Sequence, residues 1–76
     1  MKIGTIVQII EATDIKTKQV YPYLVGEIVD KERRGQFKEW YYLVLFRSID
    51  QCAWFIGEYI GPVSDAARIL YGQQNE

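Results

Sequence analysis

Residues 39–47 read EWYYLVLFR, and the fold turns on which of the two rows in this stretch faces inward. Nine residues rich in aromatic and branched aliphatic side chains, with no glycine or proline, are a strand signal. Successive side chains of a strand point to opposite faces. The even row is therefore Lys38, Trp40, Tyr42, Val44 and Phe46, and the odd row Glu39, Tyr41, Leu43, Leu45 and Arg47. Both have apolar centres, but Glu39 and Arg47 bracket the odd row with charge, so the even row is expected to form the core. This strand is the longest and is expected to be central.

The neighbouring segments fall into place around it. TIVQII (5–10) and LVGEIVD (24–30) are strands, the second holding Gly26, which marks a bulge or a close backbone approach. Between them, residues 11–23 show no clean period and end in Tyr21, Pro22 and Tyr23, so they are expected to be a long loop. KERRGQFK (31–38) is a charged hairpin connection and SIDQ (48–51) a tight turn with Asp50 in a turn position. CAWFI (52–56) is a fourth strand, and residues 58–63 give a short fifth one. Ser64 then suits an N-cap and Asp65 a first helical turn, predicting a helix over 65–71 that stops near Gly72. Two turns are too few to stand alone, so the helix is expected to dock on the sheet. Residues 73–76 are expected to be a disordered tail.

Length and composition bound what such a chain can do. Its 76 residues fit one domain, taken as residues 1–72, and 49% hydrophobic with 25% charged residues is a globular proportion. Nine basic against ten acidic residues leave a net charge of -1, so no global positive field draws it to nucleic acid. The chain has no histidine and one cysteine, Cys52. That removes His-based triads and any zinc first shell, and no metal or cofactor is expected. Cys52 is expected to be a small buried apolar side chain. No apolar run approaches the roughly 18 to 20 residues that span a bilayer, and the start lacks a secretory pattern, so the expected setting is cytoplasmic. The carboxylates Glu11, Asp14, Asp30 and Glu32 show no spacing that would hold two acids against one bond, and no enzymatic activity is expected.

The fold class read from these elements is all-β, a small five-stranded barrel with a short C-terminal helix. The run VGEIVDKERRGQFKEWYYLVLFRS through WFIGEYIGPV resembles the second half of a Src-homology-3-type small barrel, and IGTIVQII with VGEIVD is similar to prokaryotic barrels of that shape. The Ala-Leu-Tyr-Asp-Tyr segment of the peptide-binding family is absent, and Gly57 stands where that family has its groove proline. The resemblance implies a binding module, with Trp40 as a groove tryptophan. An exposed Trp40 conflicts with its membership of the inward row.

Two surfaces are candidates for that binding. Strands with apolar residues on both faces leave an outer face to be covered, either by the helix and the Tyr-Pro-Tyr loop, by a second copy of the chain, or by a partner protein. Tyr41, Leu43, Leu45 and Tyr59, with Tyr21 and Tyr23 from the loop, are the candidate anchors, and Arg33, Arg34 and Lys38 a polar rim. The chain is thus expected to be a non-enzymatic protein-interaction module, a small subunit or an inhibitor that docks on another protein. The alternative is a nucleic-acid-binding barrel, in which Lys16 and Lys18 of one loop join Lys31, Arg33, Arg34 and Lys38 of the other on one side.

Overall fold

The computed structural model describes residues 1–9, 11–35 and 39–73. It is an all-β protein with one short C-terminal helix. The strands are β1 (Ile6–Ile9), β2 (Ala12–Thr13), β3 (Val20–Tyr21), β4 (Leu24–Arg34), β5 (Glu39–Phe46), β6 (Gln51–Ile56) and β7 (Ile60–Pro62), followed by α1 (Asp65–Gln73). Five of the strands form one antiparallel sheet in the order β6-β5-β4-β1-β7. β2 and β3 pair with each other as a separate two-stranded hairpin. Among the described residues the five-stranded sheet is not closed on itself by strand pairing, and β6 and β7 are its outermost strands.

The even row of β5 is the inner one. Tyr42, Val44 and Phe46 are buried, as are Ala53 and Phe55 on β6, Ile28 on β4, and Val7 and Ile9 on β1. Gly26 is the close approach that the sequence allowed for: a Cβ there would lie 2.4 Å from Val44 Cγ1 and 2.8 Å from the Leu45 carbonyl oxygen. The bulge lies further along β4, between Ile28 and Asp30, where the pairing shifts by one residue. Asp50, at φ 52°, closes the turn before β6.

The segment read as a long loop is more ordered than its lack of period suggested. Asp14 holds it with four hydrogen bonds: Lys16 N–H (3.4 Å) and Trp54 N–H (2.9 Å) donate to Oδ1, and Thr17 N–H (3.1 Å) and Oγ1–H (2.6 Å) to Oδ2. Ile15 N–H also donates to the Trp54 carbonyl at 3.1 Å, so the hairpin is fastened to the edge of β6 at both backbone groups of Trp54. This places Tyr21 over the open side of the core, stacked on Phe46 at 5.4 Å and edge-on to Phe55 at 5.8 Å. Such pairs add about 0.5–1.5 kcal/mol each beyond area burial. Tyr21, expected as a surface anchor, is therefore a core residue at 4% exposure.

Ser64 caps α1 as expected: its Oγ accepts from Ala67 N–H at 3.2 Å. The helix continues through Gly72 to Gln73, two residues beyond the expected span, and residues 74–76 of the expected tail lie outside the described residues. Its anchor is Tyr71, 1% exposed, whose hydroxyl donates to the Leu45 carbonyl at 2.8 Å beneath the Arg47 guanidinium. Burial raises the Tyr71 hydroxyl above its ordinary pKa, with Arg47 opposing. Ile69 and Leu70 remain exposed.

Candidate functional site

The outer face of the sheet is not the open apolar surface that the two-row pattern suggested. Tyr41, Leu43 and Leu45 are all half-buried. Tyr71 and Arg47 lie at the Leu45 end, and Arg34 lies over Tyr41 with its guanidinium 5.8 Å from the ring. Leu43 pairs with Trp54 across β5 and β6. Of the six tyrosine and leucine anchors, only Tyr23 and Tyr59 are exposed, and the Tyr23 hydroxyl donates to Gln8 Oε1 at 2.6 Å.

The most exposed large ring of the β5 hairpin is on the other face. Trp40 is 40% exposed although it belongs to the buried row. Trp40 is exposed while its row points inward, because the row outruns the core. β6 makes its last pair as Ile56 with Tyr41, and Gly57 then leaves the strand in a 3-10 turn, Gly57–Tyr59. No β6 residue is left to stand opposite Trp40, and a groove of about 460 Å³ opens there. Tyr42 and Ile56 line it, with Gly57 close against the Tyr42 ring, where a Cβ would lie 3.2 Å from Cε2. Trp40 stacks on Tyr42 at a centroid distance of 6.3 Å. Glu39 and Glu58 stand at the rim, both exposed, and Tyr59 follows next in the chain. Apolar walls with a few converging charges are the general form of a binding groove.

A second, more enclosed cavity of about 320 Å³ lies between β1, β7 and the start of α1. Its lining is aliphatic apart from Thr5 and Arg68, and Arg68 already faces Asp65 at 3.4 Å. With few free polar groups to fix a ligand, it is a packing gap under the helix.

The basic residues do not form the single cluster expected of them. Residues opposite each other in an antiparallel pair share a face, and Lys31 is paired with Tyr42 and Arg33 with Trp40. Accordingly the Lys31 ammonium lies 5.2 Å and the Arg33 guanidinium 5.3 Å from the Trp40 centroid. Arg34 and Lys16 lie on the opposite face and meet at Trp54, 5.5 and 5.1 Å from its centroid. Lys18 turns back to the Ile15 carbonyl at 3.1 Å. Lys38 lies outside the described residues. Glu32 is ion-paired with Arg34.

Asp14 is the one buried carboxylate among the described residues. Burial alone would raise its pKa, but the Thr17 hydroxyl and the amides of Trp54, Lys16 and Thr17 outweigh it and hold the carboxyl below the ordinary aspartate range. With both oxygens accepting from the hairpin and from β6, Asp14 is a structural anion. Cys52 is exposed rather than buried, because the inner positions of β6 fall on Ala53 and Phe55. Partial desolvation of the sulfur against its neighbours and the nearby Asp50 charge raise its thiol pKa, which works against the reactive thiolate. Among the described residues no group of three or more His, Cys, Asp and Glu side chains is placed to hold a metal ion, and no helix is long and apolar enough to cross a membrane. No protein-family model, curated protein or solved structure matches the chain.

Proposed function

We propose that the chain is a non-enzymatic protein-interaction module, built as a small barrel of the Src-homology-3 shape, that takes an extended segment of a partner protein in the groove beside Trp40. The observation that carries this reading is an exposed tryptophan over a buried tyrosine, at the mouth of a groove rimmed by Glu39 and Glu58. A large indole fixed by its neighbours loses little entropy on binding, which is why tryptophan is over-represented among interface hot spots. Arg33 and Lys31, already stacked on Trp40, hold the ring in place and form part of the rim. The resemblance of the sequence pattern to the Src-homology-3 type supports the same location, since Trp40 matches that family's groove tryptophan, although Gly57 stands in place of its groove proline.

Selection of a random peptide library on the immobilised protein tests the proposal. Peptides recovered on the wild type are expected to lose about 30-fold in affinity on a folded Trp40→Ala variant, a hot-spot effect of ~2 kcal/mol. Peptides that bind both proteins equally, or a library that yields none, would remove the groove as the site.

A further inference from the structure

The groove engages one of the two tryptophans and leaves the other. On the opposite face of the sheet, two cations from separate parts of the chain meet at Trp54: Lys16 from the β2–β3 turn and Arg34 from the end of β4. We infer that this face binds single-stranded nucleic acid, with a base stacked on Trp54 and the flanking phosphates held by Lys16 and Arg34.

Single strands are held by phosphate neutralisation together with stacking on rings that the scaffold keeps still. Trp54 is such a ring. Its amide donates to Asp14, its carbonyl accepts from Ile15, and Leu43 stands opposite it on β5. The cations differ in how they can act. Lys16 is exposed, has a flexible stem and has no carboxylate partner among the described residues. Its ammonium can leave the indole for a phosphate and yield the ring to a base, which covers far more of the π-face than a single ammonium does. Arg34 is planar and can stay stacked between Tyr41 and Trp54 with one nitrogen on Glu32 while its remaining N–H groups donate to a phosphate.

The nearby acids set the limits of the site. Asp14 is buried and spends its oxygens on four donors, and Glu32 is engaged by Arg34. Exposed Asp30 and Glu39 share this face through their pairings with Leu43 and Arg34, and they bound the footprint toward the bulge and toward the hairpin tip. Two phosphate contacts and one stacking ring make a short site. It favours single strands, because a duplex keeps its bases out of reach of Trp54.

The experiment uses a Trp40→Phe chain, in which Trp54 is the sole indole, titrated with an oligothymidylate of about 20 nucleotides. The expected result is quenching of the Trp54 emission, and binding that weakens about sevenfold between about 50 and about 200 mM salt, the log-log slope of about -1.4 that two phosphate contacts give. Lys16→Gln is expected to lower that slope by about half while leaving the melting temperature unchanged. A duplex of the same length is expected to bind more weakly. Absence of binding at low salt, binding without a change in Trp54 emission, or equal binding of heparin or duplex would each overturn the inference. The groove proposal is untouched by any of these outcomes, because its own test rests on Trp40.

Discussion

Phe46 and Trp40 occupy opposite ends of the same row of β5 and meet opposite surroundings. Phe46 is fully buried, between Tyr21 and Phe55 and close against Gly26. Trp40 has Tyr42 on one side, two cations above it and open space beyond. Alternation along a strand decides which way a side chain points, and the reach of the neighbouring elements decides whether anything covers it. At the Phe46 end the β2–β3 hairpin supplies Tyr21 as a cover. At the Trp40 end β6 has already turned away at Gly57.

The contrast can be broken most forcefully from the covered end. Phe46→Ala should cost about 4 kcal/mol in urea unfolding, a large share of the stability of a domain this size. A loss below about 1 kcal/mol would mean that the aromatic trio does not hold the core. Next comes the cover itself. Asp14→Ala should cost about 2–3 kcal/mol, because it strands the amides of Trp54 and Thr17 and releases the hairpin. The same carboxylate makes stability depend on acid in a defined direction. Its folded pKa is depressed, so its contribution is complete above the ordinary aspartate pKa and is lost as pH falls through the lower folded value. Urea midpoints measured below about pH 4 should fall more steeply for the wild type than for Asp14→Asn, and parallel curves would refute the assignment. The smallest effect belongs to the open end: Trp40→Ala should change stability by no more than about 0.5 kcal/mol, and a larger loss would make Trp40 a structural residue instead of an available one.

Much of the core was legible in the sequence because charge brackets the odd row of β5. Glu39 and Arg47 assigned the two faces of β5, but the faces of β1 and β6 stayed open in the sequence, and the expectation of a buried Cys52 pointed to the wrong row of β6. The β2–β3 hairpin was not legible, since its strands are two residues long and its order comes from an Asp14 side chain whose partner, Trp54, is remote in sequence. Tyr21 was misplaced for the same reason: beside Pro22 and Tyr23 it has the composition of a surface loop, and only the hairpin turns it inward. Which face Lys31 and Arg33 take depends on a one-residue shift that no local composition announces. For the groove, Trp40 and Gly57 were both noted in the sequence. Their relation was not, because it depends on where β6 stops.

That one-residue shift in β4 carries a genetic consequence. With the bulge between Ile28 and Asp30, Lys31 and Arg33 share a face with Tyr42 and Trp40, while Asp30 and Glu32 lie on the other side. A regular ladder over the same sequence would pair Asp30 with Tyr42 and Glu32 with Trp40 and carry Lys31 and Arg33 to the reverse side, so the polarity of both faces of the arm is stored in one surplus residue. An in-frame loss of the single codon for Val29 would remove that surplus and straighten the strand, while every pair from Asp30 onward kept its partner. A deletion at the bulge would therefore leave the cations over Trp40.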